Sequence, residues 1–338
     1  MTRHHTQAMR AITLHTHGGP EQLIPAEIPD PPTPLPHEVV VDLTAAALNH
    51  RDVWQRAAPG NDGAVLGSDG TGCVSALGSD VTGLAVGDEV VINPSVGWGD
   101  AEEAPADGWA ILGVPRQGTY AERIAIPADH VRPRPHELTW HESAALPLAG
   151  LTAWRALVTR GRVQPGMRVL VTGAGGGAAT FLVQIARAHG AEVTVTSSSD
   201  DKIARSIELG AAHGVRYTDP GWPSQVGEVD LVVDSAGTPA WPGALDCLRR
   251  GGTLVSFGRT GGVSTELEIP RLFYGQWNLL GTTMGSPREF DAPLAHVRQA
   301  RWRPVVDSVY PLDDAAAAHA RLEQPDRFGK VVLECRST

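Results

Sequence analysis

The chain is poor in cysteine, in net positive charge and in long apolar runs, and each shortage excludes a class of protein. Its three cysteines, Cys73, Cys247 and Cys335, are odd in number and far apart. They supply neither a disulfide framework nor a CxxC metal pair, which fits a reducing cytoplasm. Lysine and arginine number 28 against 38 aspartates and glutamates, a formal net charge of −10, so nucleic acid has no broad electrostatic reason to bind. The closest approach to a membrane span is VLVTGAGGGAATFLVQIA, Val169 to Ala186. Thr172, Thr180, Gln184 and a glycine cluster interrupt it, and a spanning helix needs roughly 20 mainly apolar residues. The opening MTRHHTQAMR has no apolar core of a signal peptide. Residues 1–9 read as a disordered tail, with the domain pattern starting near Met9, an alternative translation start. His4 and His5 have no third ligand beside them.

With 338 residues the chain has room for two domains. Residues 10–134 read as short strands and turns: HEVVVDLTAAAL after the proline-rich PDPPTPLP, then GCVSALGSDVTGLAVGDEVVI with two strands. The Gly- and Pro-rich acidic stretch from Gly97 to Gln117 reads as a loop, whose Trp98 and Trp109 either pin it or line a pocket. From HESAALPLAGLTAWRALV, read as helical, the pattern becomes strands alternating with helices: MRVLVTG, ATFLVQIARAHGA, EVTVTSS, DDKIARSIELGA, VDLVVDSAG, WPGALDCLRRGG, TLVSFGR. That alternation predicts βαβ units and a parallel sheet over residues 135–303. Residues 304–338 supply strand, helix and strand that return to the first domain.

The glycine run follows a buried strand and opens a helix. Glycine lets a pyrophosphate approach the backbone there, and a helix N-terminus offers free N–H groups. A second strand ends about twenty residues later, the context such a motif requires. The run predicts a phosphate cradle, with Gly176 and Gly177 as its contacts and a register open by one residue. At the end of that second strand stands TSSSDDK. Ser197 and Ser198 occupy the place of the acid that holds an NAD ribose, and Lys202 lies one helical turn on. Hydroxyls with a cation suit a 2′-phosphate, so NADP(H) is favoured over NAD(H), although Asp200 keeps the latter open and Ser199 reads equally as a helix cap.

Taken together, GDEVV, AALPLAGLTAWRAL, VTGAGGG, GGTLVSFG and GKVVLE resemble the medium-chain dehydrogenase/reductase superfamily, over essentially Met9 to Glu334. The resemblance implies an α/β fold: a doubly wound Rossmann sheet plus a β-rich, GroES-like catalytic domain built from both chain ends, with the active site between them. Zinc members place ligands where this chain has Asn49, Ser68, Asp69 and Leu148, and cysteines where the Gly97–Gln117 loop has none. With only Asp69 and His50 as ordinary donors nearby, no zinc is expected. The chain therefore resembles the zinc-independent, quinone-oxidoreductase-like branch. That branch implies cofactor contacts at Thr152, Gly175, Gly176, Gly177, Ala178, Ser197, Ser198, Lys202, Tyr217, Ser235, Gly237, Phe257, Gly258, Met284 and Lys330. It also implies a homodimer, which would cover the edge strand around WNLLGTT.

Without a Lewis acid, charge developing on oxygen must be met by hydrogen-bond donors. Reduction of a C=C conjugated to a carbonyl, or of a quinone, needs the least such help, so NADPH-dependent reduction of an enone or quinone leads. Carbonyl or imine reduction is the runner-up, and a non-catalytic NADPH-binding redox sensor the alternative from another class. His50 is the candidate acid, its ordinary pKa near 6.5 suiting proton transfer. Arg51 is a candidate polariser, Asn49 a neighbour of the nicotinamide, and Tyr120 a reserve donor.

Overall fold

The computed structural model describes residues 8–299 and 301–336. Most of the expected tail thus lies outside the described residues. Ala8 and Met9 do not belong to it, because they open strand β1 (Ala8–Leu14) and Met9 is buried in the core. β1 forms an antiparallel pair with β2 (Leu23–Pro29).

The larger sheet has seven strands. It contains β3 (Glu38–Ala47), β4 (Asp69–Leu77) and β5 (Glu89–Ile92) from the first part of the chain. A small ladder of β6 (Ser95–Val96) with β7 (Ala110–Ile111) lies beside it. β8 (Arg123–Pro127) pairs with β3, and β9 (Val131–Pro133) with β5. The second sheet is wholly parallel. Its strands are β10 (Arg168–Thr172), β11 (Glu192–Ser197), β12 (His213–Arg216), β13 (Val229–Asp234), β14 (Leu248–Ser256) and β15 (Asn278–Gly281). Their order is β12-β11-β10-β13-β14-β15, a doubly wound Rossmann sheet. The strand order reverses between β10 and β13, the switch point where a ligand crevice forms in such sheets. β16 (Val306–Pro311) and β17 (Lys330–Glu334) then return to the first sheet, in the order β16-β17-β3-β4-β5-β9.

The apolar pattern explains the second sheet. Val169, Leu170 and Val171 of β10 are all buried, as expected of a parallel strand covered on both faces. Helix α1 (His50–Ala57) belongs to the first unit, while α2 (Trp140–Ala145) and α3 (Pro147–Trp154) lead into the second. There α4 (Gly177–Ala188) and α5 (Asp200–Glu208) follow β10 and β11. Two local expectations are corrected. The helix at WPGALDC stops at Cys247, and Leu248–Gly252 enters β14, drawn in by the pairing of Val229 with Leu248 around an irregular register. The Gly97–Gln117 stretch is not all loop, because Ala110–Ile111 pairs as β7, and its two tryptophans divide the roles: Trp98 is buried beneath the Arg155 guanidinium at 4.8 Å, while Trp109 lines the cavity. No helix among the described residues is long and apolar enough to cross a membrane.

Candidate active site

A cavity of about 850 Å³ lies between the two sheets. Its floor is the turn from β10 into α4. Gly176 caps α4 without a side-chain hydrogen bond, so the first N–H groups of a twelve-residue helix face outward. Helix α4 begins at Gly177, with Gly176 as its N-cap. Two glycines are needed for close packing. Gly175 has φ +85°, and a Cβ there would meet Lys202 and Phe328; one on Gly177 would meet Lys330 Cδ at 2.8 Å.

Beyond β13, the buried Asp234 carboxylate shapes the next turn. It accepts from Thr172 Oγ1 (2.6 Å), the Ala236 and Gly237 amides (both 3.1 Å), Trp241 Nε1 (2.9 Å) and Ser256 Oγ (2.9 Å). This clamp presents Ser235, whose hydroxyl donates to Thr172 O at 2.7 Å. Asp234 had no motif around it in the sequence.

Of the expected cofactor contacts, Thr152, Gly176, Gly177, Ala178, Ser197, Ser198, Lys202, Tyr217, Ser235, Phe257, Gly258, Met284 and Lys330 all line the cavity. Gly175 and Gly237 do not line it; both are buried behind its wall with positive φ, where they shape the turns. Asp200, the residue that kept an NAD reading open, pairs with Arg216 at 3.0 Å on the exposed surface and does not line the cavity.

Of the candidate catalytic residues, Asn49, His50 and Arg51 follow one another at the start of α1, where the ends of β3, β4 and β17 meet. Pairing of Ala47 with Asp69 and of Leu48 N with Val331 O brings three distant segments to one point. There Lys330 Nζ donates to Asn49 Oδ1 (2.5 Å) and Asp69 Oδ2 (2.9 Å), Asn49 Nδ2 donates to Asp69 Oδ2 (3.0 Å), and Leu148 N donates to Asp69 Oδ1 (2.7 Å). Asn49, Asp69 and Lys330 are buried. Asn49 is thus held by its neighbours at both ends of its amide.

Arg51 is likewise committed. Its Nη1 donates to Leu112 O (2.6 Å) and Ser68 Oγ (2.9 Å), and its Nη2 to Val114 O (3.4 Å), which anchors the loop after β7 and leaves little to polarise a substrate. Tyr120 is corrected outright. It is fully buried, away from the cavity wall, and its hydroxyl donates to Asp52 Oδ2 at 2.9 Å. His50 does line the cavity, but burial, with Arg327, Lys330 and Lys202 nearby, pushes it down to about 4. Burial thus disfavours the imidazolium form that a general acid would use and leaves the neutral ring with one N–H donor.

Among the described residues the cavity wall carries Arg51, Lys202, Arg259, Arg327 and Lys330 and no aspartate or glutamate. In a chain of net charge −10, that contrast concentrates positive potential where an anionic ligand would enter. The sequence reading missed Arg327 and Arg259. Arg327 is buried and donates to the Leu322 and Gly329 carbonyls; its place directly before the FGK of β17 was the available signal.

Residues 35–136 match the alcohol dehydrogenase GroES-like domain family and residues 209–333 the zinc-binding dehydrogenase family. A zinc-type alcohol dehydrogenase-like protein of Schizosaccharomyces pombe is 33% identical over 344 residues, covering 97% of this chain and 99% of that one. The chain belongs to the medium-chain dehydrogenase/reductase superfamily. This medium-chain dehydrogenase/reductase is also 31% identical to a quinone oxidoreductase of Salmonella typhimurium over 267 residues, covering 76% of this chain and 75% of that one. A solved structure of an NAD-dependent alcohol dehydrogenase superimposes with TM-score 0.90 at 40% identity, covering 96% of this chain and 99% of that one. The superfamily consists of oxidoreductases that bind a nicotinamide cofactor.

Zinc, which the family names imply, does not fit the residues here. The matched positions offer an amide, a hydroxyl, one carboxylate and an aliphatic side chain. The carboxylate is already paired with the Lys330 ammonium at 2.9 Å, and a cation so placed repels a dication. Among the described residues no three His, Cys, Asp or Glu side chains gather as a metal site.

Proposed function

We propose that this medium-chain dehydrogenase/reductase is an NADPH-dependent, metal-independent reductase of activated alkenes or quinones. The observation that carries the reading is the acid-free cationic wall, which runs from Ser197, Ser198 and Lys202 past the α4 N-terminus. Lys202 and the two serines suit a 2′-phosphate, and the α4 amides with Arg327 suit the pyrophosphate. Bound NADPH would supply a hydride to the β-carbon of the substrate. The neutral His50, in this reading, packs beside the phosphates, and the α-carbon takes its proton from solvent. Hydroxyls at Thr152, Thr260 and Thr283 on the wall are the donors for developing enolate charge, with no Lewis acid required.

NADPH oxidation against three compounds tests the reading: 4-phenylbut-3-en-2-one, its saturated ketone, and 1,4-benzoquinone. Consumption with the enone or quinone but not the ketone, in protein free of zinc, is the expected result. Turnover of the saturated ketone, or stoichiometric zinc, would make it a carbonyl reductase. Tight NADPH binding with no turnover of any of the three would favour a redox sensor. The proposal includes a homodimer through the edge strand β15, which the exposed Phe273 and Tyr274 precede in the chain. The mass in solution should be twice 35.7 kDa; a monomer would remove that part.

A further inference from the structure

The positive wall extends beyond what a dinucleotide's phosphates need. In the strand order β12-β11-β10-β13-β14-β15, the adenosine end of a bound cofactor would lie at β11, with Ser197 and Lys202. Its pyrophosphate would face the β10–α4 turn, and its nicotinamide end would extend past β13 toward β14. Arg259 follows β14 by three residues, so it sits on the nicotinamide side, remote from Lys202. It is exposed, yet its guanidinium is placed 3.9 Å over the ring of Trp54. Trp54 belongs to α1, on the other side of the cleft. Among the described residues Arg259 makes no ion pair and donates no side-chain hydrogen bond, and no acid on the cavity wall is present to take one.

A guanidinium stacked on an aromatic face keeps its N–H groups free at the rim, arranged as a fork that matches a carboxylate. The stacking also orients it without a protein counter-ion. We propose that Arg259, oriented by Trp54, binds a carboxylate carried by the substrate, so that the preferred substrate is an enone or quinone bearing an acid group. This rests on the reductase reading above and names its substrate class. The stoichiometry is unchanged: with the enone, NADPH would give a hydride to the β-carbon and solvent a proton to the α-carbon, leaving a saturated ketone; with the quinone, one hydride and one solvent proton would give the hydroquinone, the carboxylate staying intact in both.

The test compares 4-oxopent-2-enoate with its methyl ester, in wild type, Arg259→Gln and Arg259→Lys. Loss of a charge-assisted contact predicts a rise of about 10- to 100-fold in KM for the acid in Arg259→Gln. The ester should change by less than about twofold, and Arg259→Lys should restore part of the loss. Equal losses on acid and ester would overturn the proposal. So would a raised KM for NADPH, which would assign Arg259 to the cofactor. If wild type reduces neither compound, the reductase reading fails, and calorimetric titration of 4-oxopentanoate into NADP⁺-loaded protein decides the site alone. Binding that Arg259→Gln abolishes supports the carboxylate site; no binding to wild type, or equal binding to both, overturns it.

Discussion

Lys330→Met should destabilise the protein by about 3–5 kcal/mol, the usual consequence of stranding one partner of a buried ion pair. Asp69 is fully buried, and Lys330 is the cation among its hydrogen-bond donors. Methionine preserves the length of the side chain but leaves the carboxylate with only the Asn49 amide and the Leu148 N–H. Asn49 keeps Asp69 on its Nδ2 but loses the donor to its Oδ1, and Asn49 caps the helix that carries His50 and Trp54. The double substitution Lys330→Met with Asp69→Leu should recover most of the loss, because removing both charges removes the desolvation cost along with the attraction. Urea unfolding followed by circular dichroism measures all three proteins. A single-variant loss below about 1 kcal/mol, the range of an exposed pair, would show that this ion pair does not hold the three strands together.

Ser198→Asp combined with Lys202→Ala should exchange one cofactor preference for the other. Ser198 and Lys202 both line the cavity at the end of β11. A carboxylate at 198 would accept from ribose hydroxyls and repel a 2′-phosphate, and loss of the lysine removes the opposing charge. With hydrogen bonds to charged groups worth roughly 1.5–3 kcal/mol each, kcat/KM for NADPH should fall about 100-fold or more while that for NADH rises. Initial rates with both nucleotides give the ratio. A wild-type enzyme that already prefers NADH defeats this part of the proposal. In that case Asp200 would have to leave Arg216 to reach the ribose.

The parallel sheet and its cradle were legible because their signals are local. Val169–Val171 form an unbroken apolar strand, the glycines follow at once, and the next apolar residues repeat at helical spacing. The return of the last strand was legible through resemblance, and the observed pairing of β17 with β3 is where it goes. Local pattern failed at Leu248–Gly252, where two arginines and two glycines gave no strand signal and pairing with β13 decided the outcome.

The catalytic assignments were harder for a related reason. His50 looked like an acid because its residue type titrates near neutrality; burial and three neighbouring cations changed that. Tyr120 looked available because a sequence carries no record of burial. By itself the sequence determined the two-part architecture, the glycine turn between strand and helix, and the poverty of metal ligands, each a matter of residue type at short range. Only the tertiary structure decided that Lys330 meets Asp69 across 261 positions, that Asp234 gathers five donors, and that Arg259 faces Trp54 across the cleft. Charges act on whatever lies within a few ångströms, and that neighbourhood is assembled by strand pairing and cleft closure, not by order along the chain.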